Sequence, residues 1–182
     1  MNSREIPFDI SVAALLVVDV QLLFTGARSP AKIDSLVEAI DGINLLVRRF
    51  EHSERPIVFT RWAGRHPMMA RFWRHLLEPG DELAQLDPRL AVGNAPVLVK
   101  SSYSCYQETS LAEHLDGMEQ LVIVGAMTHL CCDMAARESF ERGIVPFMPA
   151  DLLAASRQEL HLGALAAAAH GYAIVCRLAD LL

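Results

Sequence analysis

Six short apolar runs separated by longer stretches constrain this chain more than any other feature. They occupy 13–18 (AALLVV), 57–60 (IVFT), 97–99 (VLV), 121–124 (LVIV), 144–148 (IVPFM) and 172–176 (YAIVC). The runs are continuous rather than alternating, the pattern of parallel strands covered on both faces. Pro146 in the fifth run has to sit where the ladder needs no donor. Between runs the period turns helical. Over 31–50, apolar residues recur at Ile33, Leu36, Val37, Ile40, Ile43 and Val47, a helical stripe. Ser110 and Glu113 have capping-box spacing ahead of LAEHL. Ser156 and Glu159 repeat it ahead of an alanine-rich helix that reaches His170 and stops at Gly171. Thr128 is placed to cap a helix running to about Arg142 and ended by Gly143. Residues 62–95, rich in Trp, His, Pro and Arg, show neither period and read as an insert over the sheet edge. Strand and helix alternating in this way predict a doubly wound α/β domain with a mainly parallel sheet.

The bulk properties narrow the function classes. A chain of 182 residues suits one domain, here 1–182 without a linker. Hydrophobic residues at 52% and charged residues at 21% suit a packed core. The net charge of −6 argues against a nucleic-acid partner, which calls for a basic face. The opening MNSREIPFDI lacks the basic-then-apolar pattern of a signal peptide. No run of about 18 apolar residues occurs, so no membrane partner is expected. The four cysteines include an adjacent pair and no C-x-x-C, which points to free thiols in a reducing, cytoplasmic setting.

In open α/β sheets, ligands bind at the carboxyl ends of strands. Three reactive groups fall there: Asp19 ends the first run, Lys100 ends the third, and Cys131 follows the fourth at the start of a helix. Cys131 stands at the third helical position if Thr128 is the cap. The helix start would favour its thiolate, and its own N–H would be free to hold an oxyanion. Asp19 can take and return a proton, and Lys100 can orient Asp19 and stabilise negative charge. Taken singly, each residue has a plainer reading: a buried small residue, a turn former, a solvated lysine. Their convergence at three strand ends is what points to nucleophilic chemistry.

The same stretches resemble the isochorismatase-like hydrolases, which include isochorismatases, nicotinamidases and N-carbamoylsarcosine amidohydrolase. LLVVDVQ with Phe24 resembles the first motif of that family and puts its Asp at Asp19. VLVKSSYSCY resembles the second and puts its Lys at Lys100. VIVGAMTHLCC resembles Gly-x-x-Thr-x-x-Cys, and the spacing from Gly125 and Thr128 selects Cys131 over Cys132. ARESFERGIVPFMPADLLAAS resembles the segment that follows, with Asp151 in the place of a common structural Asp. The resemblance implies a Rossmann-like three-layer α/β/α fold with a sheet of about six strands. It implies an Asp-Lys-Cys triad, a cis peptide between Ala126 and Met127, and an oxyanion hole from the Met127 and Cys131 N–H groups. It also implies no cofactor, a small-molecule substrate, and a homodimer or larger homo-oligomer.

Two departures bear on the substrate. Nicotinamidase-like members hold a metal through Asp-x-His and a further His after the second strand. Here His66 and His75 lack that spacing, so no metal is expected. Isochorismatases resemble THLCC, with a His at the place of His129, but lack the nucleophilic Cys. Cys131 favours attack on an amide or ureido carbonyl over vinyl-ether hydrolysis with Asp19 as general acid, which stays as an alternative. A non-enzymatic binding protein or a thiol redox sensor is the third reading. Candidate substrate contacts are Gln21, Phe24, Trp62, Arg65, Tyr103, Tyr106 and His129, with Phe72 and Trp73 beside them on the insert. His129 reads equally as a helix-start residue. Arg and aromatic side chains suit a planar substrate.

Overall fold

A parallel seven-stranded sheet forms the middle layer of the computed structural model, which describes residues 6–73 and 76–182. The strands are β1 (Ala13–Val18), β2 (Ile57–Trp62), β3 (Val97–Lys100), β4 (Gln120–Ala126), β5 (Val145–Pro149), β6 (Leu153–Ala154) and β7 (Ile174–Cys176). Their order is β3-β2-β1-β4-β5-β7, with β6 against the end of β4, and every ladder is parallel. The helices are α1 (Leu22–Thr25), α2 (Asp34–His52), α3 (Pro67–Phe72), α4 (Leu111–His114), α5 (Asp133–Glu141) and α6 (Gln158–Gly171). The result is the expected three-layer α/β/α fold.

Burial on both faces explains the continuous apolar runs. In β1, Ala13, Leu15 and Val17 pack on one side against Leu36, Ile40, Ile43 and Val47 of α2. Ala14, Leu16 and Val18 pack on the other against Leu111 of α4, Ala135 and Ala136 of α5, and Leu165 and Ala168 of α6. Leu15 and Leu16 have no exposed surface; burying such a side chain contributes about 1.5–3 kcal/mol. Among the described residues, no helix is long and apolar enough to cross a membrane.

Several local expectations need correction. The seventh strand, β6, has two residues, too few to show a period. Pro146, by contrast, sits where the ladder needs no donor, inside β5 and paired with Leu121. Val145 N–H bonds Glu119 on the β4 side, so the Pro146 nitrogen turns toward β7, whose pairing begins only at Phe147–Ile174. Neither capping box forms. Ser110 makes no side-chain cap and its helix has four residues; α6 opens one residue later than expected, with Arg157 as its cap residue. The last strand starts at Ile174 because the Tyr172 and Ala173 N–H groups both turn back to Ala168 O. The insert is more regular than expected: α3 and a 3-10 turn at Glu82–Ala84 enclose a small core of Trp62, Ala63, Met69, Leu77 and Ala84.

Candidate active site

The sheet reverses its winding between β1 and β4, and Asp19 and Cys131 follow these two strands. Such a switch point leaves a crevice at the carboxyl ends. Gly125 makes the close approach possible. It pairs with Val18 at φ 111°, and a Cβ there would come within 2.1 Å of Val18 O. Asp19 turns the chain out of β1 at φ 49°, a left-handed conformation that Asp tolerates better than most residues.

Lys100 stands between the other two groups. Its Nζ lies 2.8 Å from Asp19 Oδ2 and 3.2 Å from Cys131 Sγ, and it donates to Ser102 O at 2.9 Å. Asp19 and Lys100 are each 1% exposed and Cys131 8%. Asp19 Oδ1 accepts a hydrogen bond from Thr60 Oγ1 at 2.8 Å. Asp19 Oδ2 meets Lys100 as an ion pair and accepts no aligned hydrogen bond among the described residues. Burial works against the Lys100 charge, but Asp19, with Cys131 adding, outweighs it and holds the ammonium above its ordinary range. Burial pushes the Cys131 thiol up to about 12; Lys100 opposes this and the Asp19 carboxylate adds to it.

That result corrects the expected thiolate at a helix start. Thr128 is not an N-cap: Thr128–Cys132 is a π-helical turn entered from Met127, and the Thr128 hydroxyl meets His161 Nδ1 at 2.9 Å. Desolvation dominates at Cys131 and favours the neutral thiol. The Ala126–Met127 peptide is cis. Cys132 is fully buried, and its thiol is raised well above its ordinary value, first by burial.

The candidate contacts divide. Gln21 is fully buried with its amide consumed: it donates to Trp62 O (3.0 Å) and Ala84 O (2.8 Å) and accepts from Trp62 N–H (2.8 Å). It ties the insert to β2 and has no group left for a ligand. Phe24 belongs to the α2-side core, and Trp62 to the insert core, with Nε1 on Ser101 O at 3.2 Å. Arg65 is exposed and paired with Glu78 at 2.8 Å. Tyr106 is buried under α5, its hydroxyl 2.8 Å from Ser139 Oγ and its ring under Arg142. Gln21, Phe24, Trp62 and Tyr106 are thus packed or hydrogen-bonded within the protein and Arg65 pairs at the surface; Tyr103 and His129 remain. Tyr103 lines a cavity of about 190 Å³ with His66, Met68, Met69, Phe72 and Ser102, and Trp73 Nε1 donates to its hydroxyl at 2.7 Å. His129 has a buried Nδ1 without a hydrogen-bond partner among the described residues; burial lowers its pKa, with Asp133 opposing.

His66 caps α3, its Nδ1 accepting from Met69 N–H, and His75 lies outside the described residues. Among those residues no three metal-binding side chains gather. Asp151 accepts from Leu178 N–H at 2.9 Å, a structural contact. Sequence reasoning missed Thr60, Ser102 and His161. Thr60 had a signal, being a polar residue closing an apolar run beside the strand that ends in Asp19. Ser102 acts through its carbonyl, and His161 meets Thr128 only through tertiary structure from the first turn of α6; neither carries a signal.

The pattern described as the isochorismatase domain matches residues 13–180. Nicotinamidase 3 of Arabidopsis thaliana is 31% identical over 172 residues, covering 89% of this chain and 83% of that protein. The isochorismatase of Bacillus subtilis (strain 168) is 30% identical over 169 residues, covering 88% of this chain and 54% of that longer protein. Among solved structures, a cysteine hydrolase from Pseudomonas syringae pv. phaseolicola 1448A superposes with a TM-score of 0.89 at 18% identity, covering 96% of this chain and 92% of the other. That last likeness concerns the fold. The matched pattern spans nearly the whole chain and includes every group assembled at the β1–β4 crevice: this protein belongs to the isochorismatase family of hydrolases.

Proposed function

We propose that this protein cleaves the C–N bond of a small amide or ureido compound through a thioester on Cys131, with Asp19 and Lys100 as partners. The observation that carries this reading is the buried chain of contacts in which one ammonium touches both a carboxylate and a thiol. The 31% identical relative bearing the name nicotinamidase supports amide chemistry.

Since burial keeps the thiol neutral, ionisation accompanies attack. Asp19 takes the proton as Sγ bonds to the carbonyl carbon, and Lys100 stabilises charge on sulfur. The N–H groups of Met127 and Cys131 receive the oxyanion. Asp19 returns the proton to the departing nitrogen, releasing ammonia or an amine. Water, giving its proton to Asp19, then hydrolyses the thioester and restores the thiol. His129 Nδ1 gains in a polar substrate group the partner it lacks.

Ammonia release from small primary amides and carbamoyl compounds tests this, with isochorismate consumption measured in parallel. Cys131→Ala is expected to lower ammonia release on the order of 10³-fold or more. Full amidase activity in Cys131→Ala overturns the reading. Isochorismate consumption that needs Asp19 and survives loss of Cys131 establishes vinyl-ether hydrolysis instead, which the Bacillus relative's name favours.

A further inference from the structure

The turn that carries Cys131 is held partly from outside. Within Thr128–Cys132, the Cys132 N–H reaches Met127 O at 3.3 Å and the Leu130 N–H reaches the same carbonyl at 3.0 Å. Two donors thus converge on one acceptor, in a type of turn that is rare and occurs mostly at functional sites. Thr128, the first residue of the turn, is fully buried. Its hydroxyl lies 2.9 Å from Nδ1 of His161, in the first turn of α6, and α6 packs on the turn. Burial lowers the His161 pKa, which favours the neutral ring. One of the two groups then donates and the other accepts, and either direction holds the same distance.

We infer that His161 is a positioning residue for the reaction. Through Nδ1 it fixes Thr128, and through Thr128 it sets the backbone that presents the Met127 and Cys131 N–H groups and Sγ. This rests on the reading of Cys131 as nucleophile. The contact of His161 Nδ1 is with Thr128 and not with Sγ, so its effect on the reaction runs through the alignment of groups. Its loss therefore lowers kcat more than it raises KM, because alignment matters most where charge develops on the oxyanion.

The test uses the geometry of the two ring nitrogens. An Asn side chain puts an amide near the place of Nδ1, and Gln puts one near Nε2. The variants are His161→Asn, His161→Gln, His161→Leu, Thr128→Val and the Thr128→Val/His161→Leu double. The readouts are steady-state ammonia release from the best primary amide and the 4-nitrophenolate burst from 4-nitrophenyl acetate. His161→Leu and His161→Gln are expected to lose kcat on the order of 10²-fold, with KM changed far less. His161→Asn recovers most of the loss, and the double variant is no worse than the poorer single. Wild-type kcat in His161→Leu, equal losses in Asn and Leu, or additive effects in the double each overturn the inference. Far-UV circular dichroism and thermal unfolding establish folding. If His161→Leu does not fold, the Asn–Gln comparison decides. Cys131→Ala separates the premises: loss there with retention in His161→Leu overturns the positioning role alone, and retention in both overturns the nucleophile reading and this inference with it.

Discussion

Lys100 Nζ and Asp19 Oδ2 form a 2.8 Å ion pair between two side chains shut away from solvent. A buried pair contributes little net stability over an apolar pair, but losing one partner leaves an uncompensated charge. Lys100→Met is expected to cost about 3–5 kcal/mol, read from urea unfolding. Lys100→Met combined with Asp19→Asn should recover much of that loss while staying inactive. A double variant no more stable than Lys100→Met would show that the two charges are not coupled.

Cys131 makes a pH prediction. Its folded pKa of about 12 lies above the ordinary thiol value, so the folded state binds the proton more tightly than the unfolded one. The resulting stability is fully present below the ordinary thiol pKa and is lost as pH rises toward 12. Unfolding free energy should fall more steeply above about pH 8.5 in the wild type than in Cys131→Ala. Iodoacetamide labelling of Cys131 should keep accelerating through the same range. A labelling plateau near the ordinary thiol pKa would contradict a raised value. Cys132, with no exposed surface, should be labelled only after denaturation.

Gln21 binds the insert to the sheet through three hydrogen bonds to Trp62 and Ala84. Gln21→Leu keeps the bulk but strands a buried donor and two buried acceptors, each costing about 1–3 kcal/mol with incomplete additivity. A total near 3 kcal/mol is expected. Amide exchange should quicken first around Gln85 and Asp87, whose backbone meets residues 20–22. Exchange that quickened uniformly across the chain would mean Gln21 acts through global stability alone.

What the sequence made legible follows from what its signals report. Continuous apolar runs report burial on two faces, so the sheet and its parallel sense could be read, as could the strand ends bearing Asp19 and Lys100. Hydroxyl caps were misread because Ser110, Thr128 and Ser156 have other backbone geometries or partners: Thr128 spends its hydroxyl on a helix thirty-three residues away. The protein partners of the aromatic and amide residues near the motifs were illegible for a related reason. Composition places Gln21, Trp62 and Tyr106 near the site, but only tertiary structure reveals that Trp62, Ala84, Ser101 and Ser139 already occupy their polar atoms. Desolvation is non-local too. The helix-start argument singles out Cys131 but takes no account of the burial that pushes its thiol up to about 12.

Thr60 offers the finest test of the site, because it touches Asp19 without carrying chemistry itself. Its hydroxyl donates to Oδ1 at 2.8 Å, and Lys100 holds Oδ2 at the same distance. The two contacts fix the carboxylate plane, and with it the direction in which a proton is taken from sulfur. Thr60→Val keeps the β-branched shape that suits β2 and removes one donor. An unpaired buried carboxylate oxygen costs about 1–3 kcal/mol, so the variant should remain folded. If Asp19 shuttles the proton, the loss should appear in kcat, with KM nearly unchanged. Thr60→Ser, which keeps the hydroxyl, should restore kcat. Wild-type kcat in Thr60→Val would show that the Oδ1 contact does not set the direction of proton transfer.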